Sequence, residues 1–190
     1  MGVKNVLIAA GAWKPRVFET LFPESKLKIP IEPLTGYSIM VRSPRYTLAH
    51  DEAYGGAHSV FCAPGQHWKF APEAISRTGR EGQTEIYVAG LNSSTLPLPE
   101  LATDLNKNEK ARQELRQVTV QLSGASKEGA DINEDDLEIV REGLCFRPVA
   151  PGGKPILCKV RDDKPGKDLF RGPEDGGVLW LPVMDLGVLV

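Results

Sequence analysis

Residues 85–90 read EIYVAG, a run rich in β-branched and aromatic residues that ends at a glycine. Two similar short runs come before it along the chain: SIMVR at 38–42, before Pro44, and SVFC at 59–62, before Pro64. Short apolar runs separated by turn residues are typical of strands that follow one another in an antiparallel sheet. The sequence therefore predicts such a sheet through the middle of the chain.

One long helix is predicted at residues 107–123. Its apolar positions recur at helical spacing, and charged residues occupy many of the positions between them. These apolar positions are Ala111, Leu115, Val118 and Leu122. Gly124 follows where a C-terminal cap is expected. Further strands are predicted at Glu138–Val149 and Pro155–Val160, so the predicted fold class is α+β, an antiparallel sheet with one long helix.

The start of the chain has a different pattern. Val3–Ala10 contains an unbroken apolar run, VLIAA, which suits a strand covered on both faces, as in a parallel sheet. A short helix is predicted at residues 14–22. We expect this first strand to lie outside the antiparallel sheet, with Val6 and Ile8 lacking part of their cover. Exposed apolar surface of that kind favours association.

Composition excludes several functional classes. The chain has 190 residues, a formal net charge of -2 and a pI of about 6.0, so no basic excess exists to bind nucleic acid. No apolar run approaches the length of a membrane span, and no secretory signal is recognised at the start. Three cysteines cannot all pair internally, which favours free thiols in a reducing compartment and predicts a cytoplasmic protein.

The apolar run ends in a turn of small residues, VLIAAGAW at residues 6–13. Small residues such as Ala10, Gly11 and Ala12 let a backbone approach a bound cofactor closely. On its own this pattern is also that of a core strand ending at a glycine. A second pattern is EGLCFRPVAPGGKPIL at residues 142–157, in which Arg147 and Pro148 precede a glycine-rich turn. Without context, Arg147 is also compatible with a surface ion pair.

Together these segments resemble FAD-dependent oxidoreductases of the D-amino-acid oxidase superfamily, with the greatest similarity to fungal members. PIEPLTGYSIMVRSP at residues 30–44 is similar to the strand that enters the family's substrate domain, and EIYVAG to a strand that displays an aromatic residue over the substrate. The resemblance implies that a substrate amine or amino acid passes hydride to the flavin of FAD. It implies substrate contacts from Arg147 and Tyr87. It also implies cofactor contacts from Ala10, Gly11, Ala12 and Trp13.

The resemblance also sets expectations for domain organisation. It implies a remnant of an FAD-binding domain at residues 1–22, a substrate domain at 23–160, and a loop with an altered tail at 161–190. The chain is expected to be the C-terminal part of such an enzyme, because the family's Gly-x-Gly-x-x-Gly loop is absent. The alternative is a non-catalytic remnant that acts as an interaction module or has no function.

The tail departs from the family but can be reconciled with it. Synonymous codons for Trp180–Val190 exist whose DNA, read from the last base of the tryptophan codon, encodes AAGHGPWGIS. That peptide matches the family's closing segment, Ala-Gly-His-Gly-Pro-Trp-Gly-Ile-Ser. We therefore predict a shifted reading frame, or a misplaced exon boundary, over these residues.

No metal site is expected. The set of nearby candidate ligands does not match a closed tetrahedral pattern; it comprises His50, His58, Cys62 and His67. Cys145 and Cys158 lie on predicted strands and are interpreted as packed thiols rather than as a flavin linkage.

Overall fold

A computed structural model describes residues 5–54, 56–79, 82–105, 108–153, 158–159 and 177–180. The chain divides into two compact units. The central unit comprises Thr35–Ser93 and Pro99–Cys145. The terminal unit comprises Met1–Leu34, Ser94–Leu98 and Phe146–Val190. Residues 23–34 therefore group with the start of the chain, and the assignment of these units to cofactor and substrate domains stays a prediction.

The strands and helices are as follows, in chain order: β1 Asn5–Leu7, α1 Lys14–Leu21, β2 Glu32–Arg42, α2 Leu48–Tyr54, β3 Ser59–Phe61, β4 Glu73–Thr78, β5 Thr84–Ser93, α3 Glu109–Ser123, β6 Glu138–Val149, β7 Cys158–Lys159 and β8 Gly177–Trp180. Five strands form an antiparallel sheet in the order β3-β4-β5-β2-β6. A smaller sheet has the order β1-β8-β7, in which β1 and β8 are parallel. The α+β class and the separation of β1 from the antiparallel sheet are confirmed.

Strand β5 is longer than the sequence predicts because it passes through a glycine bulge. Tyr37 of β2 pairs with Leu91, whereas the next residue, Ser38, pairs with Ala89, so Gly90 is the extra residue. Gly90 has φ 109°, and a side chain there would overlap the Ala71 carbonyl oxygen. Only glycine combines that conformation with so close a backbone contact. The predicted stop at Gly90 is therefore wrong, and the strand runs on to Ser93.

The part of the core that α3 covers lies on one face of the sheet. Ile39 and Val88 are paired across β2 and β5, and both are buried. Tyr37 shares that face by strand alternation, and its hydroxyl oxygen accepts a hydrogen bond from the Asn108 N–H at 3.3 Å. Since Asn108 is the N-cap of α3, the helix begins over this face, and its buried residue Leu115 belongs to the same core.

The ends of α3 are set by local chemistry. The Asn108 side chain accepts a hydrogen bond from the Ala111 N–H at 3.2 Å, which satisfies a free donor in the first turn. At the other end Gly124 is the C-cap, as predicted, but its φ of -73° is not left-handed. Glycine is needed there because a Cβ would lie 2.6 Å from the Glu134 carbonyl oxygen of the neighbouring segment.

A small apolar cluster forms the core of the terminal unit. Ile8, Phe18 and Phe22 are buried together, and the two phenylalanine rings lie 4.9 Å apart between centroids. Ile8 is only 3% exposed, so the expectation that it lacks cover is wrong: α1 supplies that cover. Leu7, its neighbour, is 59% exposed. The side chain of Val6 lies outside the described residues.

Several predictions fall partly outside the part of the chain that the structure describes. Of the predicted strand at Pro155–Val160, residues 158 and 159 form β7. Of the loop and altered tail expected at 161–190, Gly177–Trp180 form the strand β8, and the remaining residues lie outside the described ones. None of the helices that the structure describes has both the length and the apolar character required to cross a membrane.

Acid should weaken the link between Arg45 and the segment after α3. The Arg45 guanidinium donates to both carboxylate oxygens of Asp136 and to the Ser123 carbonyl oxygen, the latter at 2.6 Å. Hydrogen bonding from Arg45 holds the pKa of Asp136 below its ordinary value. A carboxyl group of this kind stabilises the fold above its unfolded pKa, and the contribution is lost as pH falls through the lower, folded pKa.

We therefore expect Asp136→Asn to flatten the loss of stability between about pH 5 and about pH 2. Urea midpoints measured across that range would show it. Arg45→Gln serves as the control, because Asp136→Asn should have no further effect on the acid dependence in that background. Equal acid dependence in wild type and Asp136→Asn would contradict the assignment.

Candidate functional site

The predicted cofactor turn is built on a left-handed glycine. Gly11 has φ 52° and opens a single 3-10 turn that continues into α1, with the Trp13 N–H donating to the Ala10 carbonyl oxygen at 2.9 Å. A Cβ built on Gly11 would meet no heavy atom within 4 Å. The backbone conformation is therefore the reason for glycine here, and the space on the Cβ side of Gly11 is open among the described residues. Ala12 is buried, whereas Ala10 is half-buried.

The structure brings this turn next to the predicted Arg-Pro strand. The rings of Trp13 and Phe146 meet edge to face, with centroids 6.0 Å apart and planes at 69°. This is a favourable aromatic geometry. Phe146 directly precedes Arg147 in β6, and all three residues belong to the terminal unit. Two segments from opposite ends of the sequence are thus neighbours.

Arg147 is half-buried, and its Nε atom is buried. Successive side chains of a strand point to opposite sides. Arg147 therefore lies on the side of β6 opposite Phe146 and shares its side with Cys145. A guanidinium can bind a carboxylate through two parallel hydrogen bonds, which is the chemistry the resemblance implies for this position.

Lys14 is a notable residue that the sequence did not single out. It is the first residue of α1, directly after the turn, and is only 1% exposed. Burial lowers the pKa of its ammonium group because desolvation disfavours the charged form. A lysine in the first turn of a short helix has no sequence signal for burial, so only tertiary packing identifies it.

Tyr87 lies in the central unit, on β5. It is half-buried and pairs with Met40 on one side and Ile75 on the other. Because Val88 belongs to the core face, alternation puts Tyr87 on the face away from α3. Its ring is therefore not part of the core beneath the helix. Tyr87 and Arg147 belong to different compact units.

An ion-pair cluster shares the Tyr87 face. Arg77 binds the buried Glu85 carboxylate at 3.1 Å, and Arg42 approaches the same group at 3.6 Å. Arg42 also pairs with Glu138 at 3.2 Å. Two guanidinium groups and two carboxylates balance in charge, so the cluster stabilises the sheet face without creating a net charge there. Sequence reasoning missed this cluster because its members lie far apart along the chain.

The histidines do not converge. Within the described ranges, no group of three or more histidine, cysteine, aspartate or glutamate side chains could hold a metal ion. His50 Nδ1 lies 3.0 Å from the Thr47 hydroxyl. Cys145, expected to be packed, is exposed, because it lies on the outermost strand of the sheet, and its Sγ lies 3.5 Å from the Gly36 carbonyl oxygen.

No protein-family model matches this chain, and no curated protein matches it.

The arrangement nevertheless has defined chemical capabilities. A left-handed turn, open on the Cβ side of Gly11, leads into the pair of Trp13 and Phe146, and the strand that carries Phe146 also carries the half-buried Arg147 guanidinium. The turn suits close contact with a planar group, and the guanidinium suits a carboxylate. No side chain at the turn is an evident nucleophile, and we assign no catalytic residue.

Proposed function

We propose that this chain belongs to an FAD-dependent oxidoreductase of the D-amino-acid oxidase type, which oxidises the carbon–nitrogen bond of an amine or amino acid. The contact between Trp13 and Phe146 carries the proposal. It joins the two segments on which the resemblance rests, although more than half of the chain separates them. The contact brings the two segments close together, which a shared site requires, although Arg147 itself lies on the side of β6 opposite Phe146.

Arg147 is the proposed anchor of the substrate carboxylate. Its guanidinium presents donors in a planar fork that matches both oxygens of a carboxylate. Partial burial strengthens such a pair because the surrounding dielectric is lower than that of water. Tyr87, in the central unit, is proposed as a substrate contact on the resemblance alone.

The turn at residues 10–13 is the proposed contact with the flavin. The conformation of Gly11 and the small side chain of Ala10 fit a close approach to a planar ring, and the contact proposed for the buried Ala12 rests on the resemblance alone. When bound, FAD supplies the acceptor for the hydride that leaves the substrate carbon. The residues present fit only the ring system of the flavin, because the 190 residues contain no Gly-x-Gly-x-x-Gly segment to bind the pyrophosphate of FAD.

The reading frame of the genomic DNA provides the first test. We expect the codons for Trp180–Val190 to encode AAGHGPWGIS in the shifted frame, preceded upstream by a Gly-x-Gly-x-x-Gly segment. The protein encoded by that complete frame should then bind FAD and oxidise an amino acid or amine, with molecular oxygen reoxidising the reduced flavin and leaving as hydrogen peroxide. Codons that cannot encode the motif would refute the frame prediction. A flavin-loaded product that oxidises no amine or amino acid would refute the function.

A further inference from the structure

The strand β3 is an edge of the antiparallel sheet, and no strand of the described residues pairs with its outer side. It is the outermost strand in the sheet order and pairs with β4. Its side chains are unusually apolar for an edge: Val60 is 53% exposed and Phe61 is 73% exposed. Edge strands commonly carry charges, prolines or bulges that prevent pairing with another strand. Neither a charge nor a proline occurs within Ser59–Phe61.

The backbone of β3 has donors and acceptors that point away from the sheet. The Ser76 N–H donates to the His58 carbonyl oxygen at 2.8 Å, and the Cys62 N–H donates to the Pro72 carbonyl oxygen at 2.9 Å. In an antiparallel pair the residues that bond to a given neighbour alternate along the strand. His58, Val60 and Cys62 therefore face β4, whereas Ser59 and Phe61 direct their N–H and C=O groups outward.

The sequence around this edge also has no charged residue that would oppose pairing with a second copy. No Lys, Arg, Asp or Glu occurs from Ala53 to Trp68. Two identical edges could therefore approach each other without repulsion between like charges. The outward pattern is self-complementary, because in an antiparallel arrangement centred on Val60 each Ser59 lies opposite a Phe61. Both positions have free N–H and C=O groups pointing at the other strand.

We propose that two copies of this chain pair through β3 in an antiparallel arrangement, with a two-fold axis at Val60. Ser59 then exchanges main-chain hydrogen bonds with Phe61 of the partner subunit, and the two Val60 side chains face each other. The pairing extends the sheet across both copies and covers Val60 and Phe61. This inference rests on the geometry of the sheet edge and is independent of the proposed oxidoreductase function.

The interface is small, so the dimer should be weak and concentration-dependent. A strand of three residues buries much less than the roughly 1,000 Å² of a stable interface. Two-fold pairing also uses up the edge in both copies, so the assembly closes at two subunits.

Sedimentation velocity over a wide concentration range tests the proposal. We expect the wild-type chain to convert from monomer to dimer as concentration rises. Val60→Lys should raise the dimer dissociation constant at least about tenfold, because it replaces an apolar contact with two like charges directly opposite each other. Val140→Lys is the matched control: it adds the same charge on β6, at the other edge of the sheet, and should leave dimerisation unchanged.

Ser59→Pro provides a second variant. Its N–H points outward, so proline removes a donor from the open edge while leaving the bonds to β4 in place. It should weaken the dimer as Val60→Lys does, with an unchanged circular dichroism spectrum. A chain that stays monomeric at every concentration would overturn the proposal. So would a dimer that withstands both variants, or an edge that takes up an unrelated extended peptide instead of a second copy.

Discussion

Gly90→Ala is expected to lower the free energy of unfolding by about 3 to 4 kcal/mol. Two costs add at this position. An alanine held at φ 109° is strained, because its Cβ clashes with the local backbone. The same Cβ would overlap the Ala71 carbonyl oxygen and lie 3.0 Å from the Pro72 Cα, and neither backbone atom can move as a side chain could. The bulge must therefore distort or the segment at 71–72 must shift.

Gly82→Ala is the matched control for this prediction. Gly82 also has a positive φ, 79°, but a Cβ there would meet no heavy atom within 4 Å. It should therefore carry the conformational cost alone, about 1 to 2 kcal/mol. Urea unfolding of both variants measures the difference. Equal losses of stability would mean that the close approach to Ala71 contributes nothing, and the explanation of the bulge would then be wrong.

Strand β6 shows how far local sequence can predict this fold. Its predicted bounds, Glu138–Val149, are those of the structure. The run has twelve residues, and half of them are apolar or cysteine, which favours a strand over a loop. Pro148 does not interrupt it, because β6 is an edge strand on which a missing donor can face away from the sheet. The helix α3 was also predictable, because its apolar residues recur at helical spacing and Gly124 marks its end.

Strand β4 and helix α2 could not be predicted. β4 reads EAISRT, and its residues are half-buried or exposed, so no apolar pattern marks it. It becomes a strand because β3 and β5 pair with it on both sides. α2 has seven residues, too few for a periodic pattern to emerge above chance. In both cases long-range pairing or packing supplies what the local sequence does not.

The candidate site was predictable by residue type but not by arrangement. Gly11 and Arg147 could be chosen because their chemistry suits a cofactor turn and a carboxylate. That the two segments lie side by side, with Trp13 in contact with Phe146, could not be predicted, because it depends on contacts between distant parts of the chain. Lys14 illustrates the opposite case, because lysine is seldom fully buried and its type argues for the surface. Only the packed structure shows that this ammonium group is covered.

The largest expected effect concerns the cofactor: we expect the 190-residue chain not to retain FAD. A phosphate-binding loop contributes several backbone donors and a helix dipole to the pyrophosphate. Each hydrogen bond to a charged group is worth about 1.5 to 3 kcal/mol. Losing about three of them removes about 5 to 9 kcal/mol, which weakens a site of about 1 nM to a dissociation constant between a few micromolar and a few millimolar. The turn at Gly11 can contact the ring, but it cannot neutralise the phosphates.

Incubation with excess FAD followed by desalting tests this expectation, with visible absorbance as the readout. Riboflavin is the matched control ligand, because it has the same ring system and no phosphates. Fluorescence titration should show equally weak binding of FAD and riboflavin, since contact with the ring is then the only contribution. If FAD binds far more tightly than riboflavin, the chain must contain a pyrophosphate site that its sequence does not reveal. A yellow protein with stoichiometric FAD after desalting would refute the prediction outright.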